Sequence, residues 1–262
     1  MANKPVTQIN KDSGRTYFVD SLGKELPSVT HILGYLDDGK SGALMGWAVK
    51  VMALYLKTLA DAKGNIVISK DEIDEVFKKA KAQHKELKNK AADIGSETHN
   101  LIEVYLKGQK VDGLLSANPK LVSPFEAFKK WQKEVNYQET IATERIVYSE
   151  TYGFAGTLDL VAKINGVVTL IDIKTSNRHS KTYFMQVAAY KQAYEELQGN
   201  LERLTNKVEA IGVLRLDKET GLPDYKSIPV IGETGLSEDY FGAFMCFVSF
   251  YNINQRLNKE VA

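Results

Sequence analysis

Within the stretch GTLDLVAKINGVVTLIDIKTS, from Gly156 to Ser176, two aspartates and a lysine stand where strands usually carry apolar or neutral residues. Two runs rich in Val, Ile and Leu flank Asn165-Gly166, the dipeptide favoured in a two-residue type I′ hairpin turn. With these residues at the turn's centre, Ile164 pairs with Val167, Lys163 with Val168, and Asp159 falls opposite Asp172. Side chains alternate faces along a strand, so Lys174 shares the face of Asp172, while Leu158, Leu160, Ile171 and Ile173 turn to the other. Like charges placed across a ladder are destabilising. Two arrangements relieve them. Lys174 can neutralise the acids in a salt-bridge cluster, or the pair can hold a hard divalent cation, which takes carboxylate oxygens together with substrate phosphate and water. In the second case the lysine would stabilise charge on a phosphoryl oxygen or help place a nucleophilic water.

Other residues of suitable type stand around this hairpin. In GSETHNLIEVYL, His99 and Glu103 are four apart and share one helical face. His99 is either a metal or phosphate contact or an ordinary structural histidine. Glu144 lies in the strand-like run TERIVYSE. Downstream, Gln186 and Tyr190 in QVAAY are again four apart, fit to bond phosphate or a neighbouring site residue, or simply to pack.

Taken in chain order, His99, Glu144, Gly156-Thr-Leu-Asp159, Asp172-Ile-Lys174 and Gln186-x-x-x-Tyr190 give the sequence a form that resembles the PD-(D/E)XK nuclease superfamily, in particular its RecB-like exonuclease branch. The opening YFVD…LPSVTHIL is similar to that of the shorter phage-type and mitochondrial genome-maintenance exonucleases of that branch. The resemblance implies a restriction-endonuclease-like α/β core, a mixed central β-sheet flanked by helices, with dependence on Mg²⁺ or Mn²⁺. It implies Asp159 and Asp172 as metal ligands, His99 as a ligand or its close neighbour, and Lys174 as the catalytic lysine. Glu144 would assist the metal through water, Gln186 and Tyr190 would orient DNA or the lysine, and Thr175, next in D-I-K-T, would join the substrate contacts. The implied activity is phosphodiester hydrolysis, as an exonuclease on single-stranded or end-bearing DNA, with a place in DNA repair or recombination. The alternatives are a structure-specific endonuclease or junction resolvase, and a non-catalytic nucleic-acid-binding module of the same fold. Members of the branch that carry an iron–sulfur cluster need four cysteines; this chain has one, so no cluster is expected. It has no G-x-x-x-x-G-K-[ST] segment, so a helicase or recombination partner would be a separate chain.

The elements that must position these residues follow from composition and pattern. With 262 residues the chain is expected to form a single nuclease domain over 1–262. About 1–136 reads as a mainly helical part with an N-terminal hairpin, and about 137–262 as the α/β catalytic core, His99 being contributed from the helical part. Hairpin strands are expected within 15–30, and helices at 28–36, from Gly42 towards Gly64, from Ser69 onward with a break near Gly95, and at 122–135, 183–197 and 237–257. Further strands are expected in TIATERIVYSE, VEAIGVLRL and DYKSIPV. Ser69 with Glu72 forms a capping-box pattern. A net charge of +1 offers no global attraction for a polyanion, so a local patch must supply it. Lys78, Lys81, Lys85 and Lys88, at helical spacings of three and four, would form a basic ridge for DNA. The single Cys246, within the apolar run FGAFMCFVSFY, reads as a buried thiol in a reducing compartment. No signal-like N-terminal segment or 18-residue apolar run is present, which points to a cytoplasmic protein of a bacterial or phage-infected cell with no membrane partner.

Overall fold

The structure, a computed structural model, describes residues 6–11, 14–36, 40–60, 64–198, 205–230 and 235–260. The chain divides into two compact units, one of residues 1–36 with 98–262, the other of residues 37–97.

The smaller unit holds α2 (Lys40–Thr58) and the first part of α3 (Ile73–Leu106). The rings of Trp47 and His84, with centroids 4.7 Å apart, tie the two helices. Ahead of α3, the Ser69 backbone N–H donates to Glu72 Oε2 at 3.1 Å, half of the expected capping box. Two expectations are corrected here. The helix before it ends at Thr58, short of Gly64, and α3 runs through Gly95 without a break. A glycine in a helix interior costs about 1 kcal/mol relative to alanine, too little to end a helix this long.

In the larger unit, β1 (Val6–Lys11), β2 (Gly14–Val19) and β3 (Lys24–Pro27) form a three-stranded antiparallel sheet. The expected hairpin is β2–β3, with Gly23 at φ 59 in its turn, and β1 is an additional strand. The short α1 (Val29–Leu33) follows, its first turn capped by Ser28 Oγ accepting from the His31 N–H at 3.0 Å.

The main sheet has the order β4-β5-β6-β7-β8, with β4 (Tyr137–Ser149), β5 (Phe154–Ile164), β6 (Val167–Lys174), β7 (Ala210–Leu216) and β8 (Pro223–Pro229). All neighbours are antiparallel except β6 and β7, which are parallel. The parallel step is made by α6 (Lys181–Leu197), because parallel strands need a long crossover connection. The sheet is covered on both faces, so β5 and β6 are buried almost throughout. On one face α6, α1 and α7 (Leu236–Glu260) pack through Val187, Tyr190, Tyr194, Ile32, Phe244 and Val248 onto Leu158, Val161, Leu170 and Val213. On the other, the chain passes from α3 through the short α4 (Asp112–Ala117) to α5 (Val122–Glu134), and Phe128 and Trp131 of α5 with Ile102 of α3 pack onto Leu160, Ile171, Ile173 and Leu214. A mixed sheet flanked by helices is the restriction-endonuclease-like α/β architecture expected from the sequence. Among the described residues no helix is long and apolar enough to cross a membrane.

Cys246 is exposed on α7, not buried. Its helix is apolar on more than the face that meets α6: Phe244 and Val248 are buried, while Phe250 and Ile253 lie more than half exposed.

Candidate active site

The β5–β6 hairpin sets the site. Asn165 and Gly166 both have positive φ, 48 and 84, as a type I′ turn requires, and the ladder runs from Ile164↔Val167 to Leu160↔Ile171 in the register the turn dictates. One step further along that register stand Asp159 and Asp172. The ladder stops before them, and a side chain replaces it: Asp159 Oδ2 accepts the Ile173 N–H at 2.6 Å. The alternation of β5 is interrupted at this place. Leu160, Ile171 and Ile173 share a face as expected, but Leu158 packs into the opposite cluster, beneath α6.

On the other side of β5, Glu144 and Asp159 lie between the successive pairs Thr143↔Leu160 and Arg145↔Leu158. Glu144 has φ 45, a left-handed conformation that a residue with a Cβ adopts at a cost of about 1–3 kcal/mol. Strain of this kind has no signature in the sequence. His99 comes from the part of α3 that belongs to the larger unit, so the site lies within one unit. Its Nδ1 is 3.4 Å from Glu144 Oε1 and 3.4 Å from Asp159 Oδ1. One ligand-type atom from each of His99, Glu144 and Asp159 lies within 4.8 Å of the others.

Asp172 is turned towards Lys174, whose Nζ lies 2.8 Å from its carboxylate oxygens and donates to Oδ1. Oδ2 is buried and its one close charged neighbour among the described residues is the same ammonium. The sheet aims Asp172 at the α6 layer, alongside Val168 and Leu170. There Gln186 Nε2 donates to the Tyr190 hydroxyl at 3.1 Å, and both residues are buried. A Cβ on Gly156 would overlap the Tyr190 ring. The glycine of G-x-x-D and the tyrosine of Q-x-x-x-Y are therefore two halves of one contact. Tyr17 of β2 fixes the same segment from the N-terminal sheet, its hydroxyl 3.0 Å from Thr157 Oγ1, and Ser28 forms a parallel bridge with Ala155. Tyr17 opens the YFVD run of the resemblance, but no spacing in the sequence assigns it this contact. Thr175 is half-buried just past the end of β6. Lys78, Lys81, Lys85 and Lys88 are exposed on α3 in the smaller unit.

The electrostatics follow from packing three acids together. Burial pushes the Asp172 carboxyl up, the charge of Asp159 adds to this, and Lys174 opposes it, leaving the group at about 7. Burial opposes charge on His99, but Asp159 and Glu144 outweigh it and hold the imidazole up at about 10. Burial also raises Glu144, with Asp159's charge acting in the same direction. Asp159 is lowered in spite of burial, because His99 and Lys174 face it. Carboxylates that repel one another and an imidazole nitrogen form a donor set that suits a divalent cation.

A mixed sheet whose strands β4, β5 and β6 bring such acids and a lysine together beside a histidine of α3 defines a divalent-metal type of site. Residues 70–239 match the model of the PD-(D/E)XK nuclease superfamily, and the chain belongs to that superfamily of metal-dependent nucleases. A comparison with curated proteins finds no match.

Proposed function

We propose that the protein is a Mg²⁺- or Mn²⁺-dependent deoxyribonuclease of the RecB-like branch, acting as an exonuclease on single-stranded or end-bearing DNA. The observation that carries the reading is the convergence of ligand atoms from His99, Glu144 and Asp159 within 4.8 Å of one another, beside the buried Asp172–Lys174 ion pair. In this reading Asp159, Asp172 and His99 hold the ion, with Glu144 assisting through water. An ion held by these residues would supply Lewis-acid chemistry, the acidification of a water and the polarisation of the scissile phosphate. Lys174 stabilises charge on the attacked phosphoryl group, as a positioned donor in a water-poor site. Asp159 keeps its place because its other oxygen is bonded to the Ile173 N–H. Gln186 and Tyr190 act from beneath: buried and joined to each other, they hold the β5 segment that leads to Asp159.

The test compares end-labelled linear DNA with closed circular DNA, with and without Mg²⁺. Mononucleotides or short products released from linear ends, with circles left intact, are the expected result. Cleavage of circles would replace the exonuclease by an endonuclease, and cleavage that persists in EDTA would remove the metal.

A further inference from the structure

Among the described residues Lys174 is in contact with two groups, with Asp159 facing it from further off, and a cation on Asp172 takes away one of the two contacts. Its Nζ lies 2.8 Å from the Asp172 carboxylate and 5.1 Å from the ring centroid of Tyr183, in the first turn of α6. Only 21% of the lysine side chain is exposed. An ammonium enclosed to this extent needs a compensating group, because an unpaired buried charge is strongly unfavourable. A divalent ion and the lysine compete for the same carboxylate, which carries a single charge. The aromatic face has no net charge to be neutralised. It attracts the ammonium through the ring quadrupole, and that attraction is unaffected when Asp172 turns to another cation.

We infer that Tyr183 is a positioning residue whose ring gives Lys174 a second seat, allowing the lysine to yield Asp172 to a divalent cation and remain beside the reacting phosphoryl group. This rests on the reading of Asp172 as a metal ligand. With the ring removed, the ion must displace the lysine from its main remaining partner, so metal binding weakens. The hydroxyl plays no part in the argument, so phenylalanine serves as well as tyrosine.

The experiment is calorimetric titration of Mn²⁺ into the full chain without DNA. Tyr183→Leu is expected to weaken binding about 3–10-fold, while Tyr183→Phe stays within about twofold of the unaltered protein. In a Lys174→Met background, Tyr183→Leu should have no further effect, since there is no ammonium to seat. Tyr183→Met fills the space with a flexible apolar chain and carries the same expectation as leucine should the leucine variant fail to fold. Unchanged affinity on losing the ring, or a loss that persists without the lysine, overturns the inference alone. No Mn²⁺ binding by the unaltered chain, or full binding by Asp172→Asn, overturns the metal reading and the inference with it.

Discussion

Asp172 is the residue whose charge the fold tolerates least. Its carboxyl stands at about 7 against a usual 3.8, so the folded chain favours the protonated form. The stability this gives is fully present below the unfolded value and is lost as pH rises from there through about 7. In EDTA the melting temperature of Asp172→Asn relative to the unaltered chain should therefore be higher at pH 8 than at pH 4, by on the order of 1 kcal/mol or roughly 2–4 °C, the loss of the Lys174 partner being felt at both. The same substitution should abolish Mg²⁺-dependent cleavage. A difference in melting temperature that is the same at pH 4 and pH 8 would mean that the acid is not under strain. At this scale the sequence is informative where chemistry follows from chain order: Asn165-Gly166 sets the register that brings Asp159, Asp172 and Lys174 together. It is uninformative where a side chain's surroundings come from elsewhere, as with the exposed Cys246, and the meeting of His99 with acids from two strands is implied by the family resemblance but not by spacing.

Two elements hold the acids in place, and each can be tested through its backbone. Gly156 meets the Tyr190 ring, so Gly156→Ala must displace either β5 or α6, a case of overpacking that costs about 1–3 kcal/mol. Because β5 leads directly to Asp159, the variant should also bind Mn²⁺ more weakly, and a stable variant with normal metal binding would separate the motif glycine from the site. Glu144 offers the reverse experiment. Glu144→Gly relieves a left-handed backbone worth about 1–3 kcal/mol, against the roughly 0.5–1 kcal/mol that a glycine costs in chain entropy. Thermal melts in EDTA should rank glycine above Glu144→Gln, which removes the charge but keeps the strain, while both lose activity; the opposite ranking would dismiss the strain. The pairing of β5 with β6 is legible in the sequence because a two-residue turn admits one register. The shift of Leu158 to the opposite face is not, because period-two counting assumes a ladder that in fact ends beside Asp159. The continuity of α3 is equally hidden, because a glycine suggests a break yet is a weak helix breaker among many good formers.

At the scale of the whole molecule, every residue of the site belongs to the larger unit, while the smaller one carries exposed lysines. On α3, Lys79 and Lys90 are paired with Glu75 and Glu86, whereas among the described residues Lys78, Lys81, Lys85 and Lys88 form no ion pair. Their spacing sets them on one side of the helix. In a chain of net charge +1, such a ridge is the kind of local patch through which a polyanion could be held. Its contribution would be to affinity and not to chemistry. Replacing the four lysines by glutamine should leave Mn²⁺ binding and turnover at saturating DNA unchanged, and should weaken binding to many DNA sequences about equally. The plot of log affinity against log salt should flatten by roughly 0.7 for each phosphate of a single strand that the lysines no longer neutralise. A folded variant with an unchanged salt slope would make the ridge an ordinary solvated helix face, and a variant with reduced turnover at saturation would show that the smaller unit takes part in the chemistry after all.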